Sequence, residues 1–227
     1  MAVVAIDGPS GAGKSSVSRA VAEHFQWSYL DTGALYRAVT LLAIESQLTQ
    51  GEAIASILKP GAITWIGDPA APQILLADRN VNAEIRTQNV TERVSEIAAQ
   101  PEVRAHLLDI QRAIINAAPR GIVVEGRDIG TTVWPDAELK IFLTADLQAR
   151  AERRNAELVA KFSDSDVQAA LAARDVVDST RTTSPLRQIA EQVEIDATHL
   201  SFEQVVTEIK NLITELKLAE AGDSNGR

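Results

Sequence analysis

Residues Gly8-Pro9-Ser10-Gly11-Ala12-Gly13-Lys14-Ser15 match the pattern G-x-x-x-x-G-K-[ST] in full. That pattern carries a mechanism only between a strand and a helix. Val3-Val4-Ala5-Ile6-Asp7 precedes it as a short β-branched apolar run and reads as a buried parallel strand. After it, Val17, Ala20, Val21 and Phe25 recur at helical spacing from Ser15 onward. Glycines let successive backbone N–H groups turn inward, and the helix N-terminus adds partial positive charge. Lys14 is placed to reach the β and γ phosphates of a bound triphosphate, and Ser15 to meet Mg²⁺, mostly through phosphates and water. Ser16 extends this set at the start of the helix.

Further apolar runs at 26–30, 121–125, 139–144 and 192–196 supply four more candidate strands, with helical patterns between most of them. Alternating β and α elements imply an α/β fold with a parallel sheet and right-handed crossovers. The last helix is the clearest. Ser201 with Gln204 makes a capping box, and Val205, Ile209, Leu212 and Leu216 are expected to line one face. Residues 47–116 hold Gly and Pro breaks, strand-like pieces at Ile63–Ile66 and Gln73–Leu76, and a later helical run, and read as an insertion. Residues 150–174 are helical and heavily charged, with Asp146 able to cap the helix entering them. The expected core is therefore 1–46, 117–149 and 175–218, and the small polar stretch 219–227 is expected to be a disordered tail.

Composition narrows the chemistry. With 227 residues, 45% of them hydrophobic, the chain can bury a sizeable core. It has no cysteine and three scattered histidines, which removes disulfides, thiolate nucleophiles and any transition-metal spacing. A net charge of −9 argues against binding nucleic acid non-specifically. No apolar run is long enough for a membrane span, and Asp7 interrupts the first one, so a cytoplasmic protein is expected. Nothing suggests an interface, and a monomer is expected. The basic residues are lopsided: 16 of the 22 are Arg, whose planar fork grips phosphate bidentately. A guanine-reading N-K-x-D is absent, and D-x-x-G occurs only at Asp223 to Gly226, which disfavours a regulatory GTPase. A small-molecule kinase fits better than a motor or helicase.

Asp31-Thr32-Gly33-Ala34-Leu35-Tyr36-Arg37 follows the second strand, and Glu125-Gly126-Arg127-Asp128-Ile129-Gly130-Thr131 the third. Charged residues thereby fall at the carboxyl ends of parallel strands, where such sheets bind ligands. With E-I-R-T at 84–87, S-E-I-A-A-Q-P-E-V-R at 95–104, P-D-A at 135–137 and R-D-x-x-D-x-x-R at 174–181, the chain closely resembles the bacterial cytidylate kinases over nearly its whole length.

That resemblance implies a five-stranded P-loop nucleotide kinase sheet in the order 2-3-1-4-5, with 47–116 as the acceptor-binding insertion and 150–174 as a short lid. It implies ATP with Mg²⁺ as donor and CMP or dCMP as acceptor. Thr32, Arg37, Arg127 and Arg181 are matched to the acceptor site, and Arg174 and Asp178 to the pentose. Ser95, Arg104 and Asp128 offer the donors and the acidic acceptor that cytosine requires, and the resemblance implies that they converge. Asp128 can alternatively hold Arg127. Arg174, Asp178 and Arg181 stand at i, i+4 and i+7, one helical face, which also suits a surface ion-pair stripe. Arg150, Arg153 or Arg154 can meet the transferring group, and Arg154 is placed with Lys14, Arg127 and Arg181 as catalytic. Glu125 stands where many relatives carry Asp and can hold Mg²⁺ through water. Rival readings are a kinase for another nucleotide, shikimate or dephospho-coenzyme A, and, in a different class, an ATP-binding sensor without chemistry.

Overall fold

A computed structural model describes residues 1–157 and 163–219. Residues 220–227, the bulk of the expected tail, and 158–162, inside the expected lid, lie outside the described residues. The architecture rests on β1 (Ala2–Asp7), whose six residues are all buried. It pairs in parallel with β6 (Gly121–Gly126) on one side and β7 (Leu139–Thr144) on the other. β2 (Ser28–Asp31) joins the far edge of β6, and β8 (Val193–Asp196) the far edge of β7. The sheet order is β2-β6-β1-β7-β8. With the five parallel strands counted alone this is 2-3-1-4-5, the order expected.

Because side chains alternate across a strand, β1 feeds two cores. Val3 and Ala5 join one cluster, Val4 and Ile6 the other. The second cluster packs under α1 (Lys14–Phe25) and α8 (Phe202–Glu215). The first packs under α2 (Thr32–Glu45) and α5 (Pro101–Asn116). It continues without a break into residues of α3 (Gly51–Ile57) and α4 (Gln88–Ala98).

Between α3 and α4 runs a small antiparallel sheet of β3 (Ile63–Ile66), β4 (Gln73–Leu76) and β5 (Arg79–Asn80). It covers the open edge of β2. Tyr29 N donates to Gly67 O at 2.9 Å, and the Trp65 indole donates to Tyr29 O at 2.6 Å. An exposed parallel edge is thereby closed.

Helix starts follow the local chemistry. Asp31 caps α2 by accepting from Ala34 N at 2.9 Å, and Asp146 accepts from Ala149 N at 2.6 Å at the entry to α6 (Leu147–Glu157). α8 carries the expected Ser201–Gln204 capping box. Its buried face differs from the one expected: Val205, Ile209 and Ile213 are buried, whereas Leu216 is 50% exposed. The helix ends at Glu215, and Leu216 is its C-cap. α7 (Asp164–Thr180) ends before Arg181, its C-cap, where a ψ of 143° turns the following chain away. Arg181 N still donates to Val177 O at 3.1 Å and its φ is −59°, so its side chain leaves on the helical face it shares with Asp178, as the spacing suggested. α6 and α7 begin and end so that residues 150 and 174 both lie inside helices. No helix among the described residues is long and apolar enough to cross a membrane.

Candidate active site

The glycine-rich turn leaves β1 where strand order reverses, the place where open α/β sheets hold ligands. Its path is set by close packing. A Cβ at Gly8 would fall 2.0 Å from Leu143 O, so only glycine lets the loop cross β7. Gly13 takes φ 93° as it turns into α1, a torsion that other residues rarely adopt. Lys14 is buried and folds back on the loop, donating to Gly8 O at 2.8 Å and Pro9 O at 2.7 Å. Burial and the nearby Arg127 lower its ammonium well below the ordinary lysine range.

Beside the loop lies a cavity of about 500 Å³. On one side it is walled by Ser10, Gly11, Gly13, Lys14, Ser15 and Ser16. Thr32, Arg37, Ser95, Arg127, Asp128, Arg154, Arg174, Asp178 and Arg181 line the rest, so the motifs scattered along the chain meet in one space. Arg104 is buried behind this wall. It bonds to Asp128 at 2.5 Å and to Ala98 O at 3.1 Å, and its guanidinium lies over the Tyr36 ring at 5.2 Å. Asp128 thus holds Arg104. The alternative, that it holds Arg127, does not occur, because Arg127 Nε bonds to Asp178 at 2.8 Å.

Cationic side chains outnumber carboxylates along the cavity wall. Arg37 is anchored to Ile85 O and Thr91 Oγ1 at 3.1 and 2.9 Å. Burial, then Arg174 and Arg154, lower it to about 9. Arg174 is lowered to about 10 by burial and by Arg127. Arg174 Nε and Arg181 Nη2 are buried without a hydrogen-bond partner, although Arg181 Nη2 lies 3.5 Å from Asp128. Burial pushes Asp178 up, yet Arg127 and Arg174 bring it below its ordinary value. Buried arginines packed this close together, two of them with an unpartnered nitrogen, suit an anion.

Two acidic groups at strand ends find partners that the sequence did not indicate. Asp7 is fully buried and accepts from Ile129 N at 2.7 Å, Gly130 N at 2.8 Å and Gln192 Nε2 at 3.0 Å. Burial still raises it to about 6. It fastens the turn that carries Asp128. Glu125 is buried, accepts the Tyr29 hydroxyl at 2.6 Å and contacts the Ser15 hydroxyl, while its backbone O accepts from Thr32 Oγ1 at 2.7 Å. Burial, and then Asp31, raise the Glu125 carboxyl. Tyr29 was missed because an aromatic residue inside a strand reads as core. Its one legible signal was its place in β2, two residues before Asp31 at the strand's carboxyl end.

Of the three lid arginines, Arg150 is buried and bonds to Ala145 O, Ser10 O and Asp175, and Arg153 donates to Ala197 O at 2.5 Å. Only Arg154 of the three lines the cavity.

A parallel sheet ending in this loop, facing an arginine-lined cavity, defines a phosphotransferase of the P-loop kinase class. The family model for cytidylate kinase matches residues 4–215. A cytidylate kinase of Streptomyces avermitilis is 48% identical over 96% of this chain and 95% of its own length. One of Streptomyces coelicolor is 50% identical over 94% and 93%. A solved structure of an uncharacterized protein from Eubacterium ventriosum shares the fold with a TM-score of 0.52 and 10% identity, covering 94% of this chain and 98% of that one. The chain belongs to the cytidylate kinase family.

Proposed function

We propose that the protein transfers the γ-phosphoryl group of ATP to CMP and dCMP, giving CDP and dCDP. The observation that carries this reading is the convergence of Arg37, Arg127, Arg154, Arg174 and Arg181 on the cavity that also holds the phosphate loop. A monophosphate brought against a triphosphate meets strong repulsion in a water-poor site, and fixed arginines offset it.

The transfer is an in-line attack by an acceptor phosphate oxygen on the γ-phosphorus. That oxygen is already anionic near neutral pH, so the chain needs no strong base. Its contribution is orientation and charge stabilisation. Lys14 leaves the loop carbonyls for the β and γ oxygens. Arg37, Arg127 and Arg181 hold the acceptor phosphate, and Arg154 meets the group in flight. Arg174 and Asp178 face the pentose. Ser15 and Glu125, with Asp31 beside them, are an all-oxygen donor set that suits a hard divalent ion such as Mg²⁺ with water and phosphate completing its shell. When bound with ATP, that ion neutralises phosphate charge.

Base choice rests on Asp128, Ser95 and Arg104. Cytosine offers an amino donor to a carboxylate and acceptors to a hydroxyl and a guanidinium. Uracil reverses part of this pattern and leaves the carboxylate without its donor, which makes it the poorer acceptor.

A coupled ADP-release assay over CMP, dCMP, UMP, shikimate and dephospho-coenzyme A tests the reading. Turnover with the two cytosine nucleotides ahead of all others is expected. Turnover with shikimate and none with CMP would overturn it, and ATP binding without any acceptor-dependent turnover would favour a sensor.

A further inference from the structure

Asp175 and Asp178 stand on neighbouring turns of α7, and their carboxylates point to opposite ends of the cavity's machinery. Asp178 Oδ2 accepts from Arg127 Nε at 2.8 Å and its Oδ1 lies 3.8 Å from Arg181 Nη1. Both arginines line the acceptor side. Asp175 Oδ2 accepts from Arg150 Nη1 at 2.5 Å, and its Oδ1 lies 3.4 Å from Ser10 N. The same Arg150 Nη1 donates to Ser10 O at 3.1 Å. Both backbone polar groups of Ser10, in the phosphate loop, are therefore held by this one pair. Packing reinforces the clamp: a Cβ at Gly11 would fall 3.0 Å from Arg150 O, so α6 lies directly against the loop backbone.

We infer that Asp175 and Arg150 are positioning residues through which acceptor binding sets the shape of the phosphate loop. This rests on the reading above of ATP as donor and CMP as acceptor. A helix moves as a rigid rod with a rise of about 5.4 Å per turn. An acceptor phosphate that draws Arg127 and Arg181 shifts their partner Asp178, and Asp175 one turn away moves with it. The pair with Arg150 then carries that shift to Ser10, whose neighbours provide the backbone N–H groups for the donor phosphates. Two sites that bias one element are coupled, and the coupling is reciprocal.

The test measures dissociation constants for a non-hydrolysable MgATP analogue with and without saturating CMP, and for CMP with and without the analogue. In the native protein each ligand is expected to tighten the other by ~5-fold or more. Asp175→Asn keeps the shape but removes the ion pair. It should bring that factor close to one while CMP affinity without analogue stays within about twofold. Arg150→Gln should do the same, and the double variant should lose no more than either single, since both act through one contact. Melting curves establish that each variant is folded at the working temperature. Arg150→Lys, which keeps the charge but not the guanidinium nitrogen that bridges Asp175 and Ser10 O, covers the case in which Asp175→Asn does not fold, and should also lower the factor. A pair that merely braces α6 against α7 would lower the melting temperature and leave the native factor intact, which overturns the inference. So does a native protein that binds both ligands independently. Absence of CMP binding would instead sink the substrate reading on which the inference stands.

Discussion

Asp128 is bonded to Arg104 at 2.5 Å with both side chains about 5% exposed, although Arg127 is its neighbour in the chain. The backbone reaching Asp128 is pinned by Asp7 through Ile129 N and Gly130 N, which aims the carboxylate at α5. Breaking a buried pair leaves an uncompensated charge and costs about 3 kcal/mol or more. Asp128→Asn should lower the melting temperature and cut kcat/KM for CMP by ~10²-fold, with a smaller loss for UMP. An unchanged CMP to UMP ratio would remove Asp128 from base selection.

Lys14→Ala removes the cation held between the loop carbonyls and the cavity. Turnover should fall by ~10²-fold or more, the scale for losing one charge-stabilising donor. CMP affinity, measured by titration calorimetry, should stay near its native value. A native turnover number would refute the role given to the loop.

Arg150 and Arg154 are one turn apart in α6 and should behave oppositely. Arg154→Ala is expected to lower kcat by ~10²-fold with little change in melting temperature. Arg150→Ala strips the partner from Asp175 and two carbonyls, and should destabilise by about 2 kcal/mol. Steady-state kinetics and thermal melts of the two variants distinguish them. The assignment of Arg154 falls if the kinetic loss follows Arg150 alone.

Asp7 gives a pH signature. Burial raises it from 3.8 to about 6, so the folded state holds the proton more tightly than the unfolded chain. Its contribution to stability is fully present below about pH 4 and is lost as pH rises through 6, by about 3 kcal/mol in all. Asp7→Asn should lack that slope. Urea titrations between pH 4 and 7 on both proteins read the difference, and parallel curves would refute it.

The loop from Gly8 to Ser15, the parallel strands and the capping box of α8 were legible in the sequence because each depends on residues within a few positions of one another. Phosphate chemistry was legible for the same reason: glycines, lysine and serine stand together. Which arginine faces which partner was not. Arg104 meets Asp128 across 24 positions, Arg127 meets Asp178 across 51, and Tyr29 meets Glu125 across 96. Arg150 looked equivalent to Arg153 and Arg154 until the sheet order put α6 against Ser10 at a separation of 140. Spacing along a helix could group Arg174, Asp178 and Arg181, but not the partners from another element, Arg127 and Asp128, that Asp178 and Arg181 meet. By itself the sequence determined the repeating α/β pattern and the phosphate loop, both products of local periodicity and backbone torsion. The tertiary structure decided the pairing of charges, because a buried charge takes whichever partner the packed backbone brings within reach, and no local rule specifies that partner.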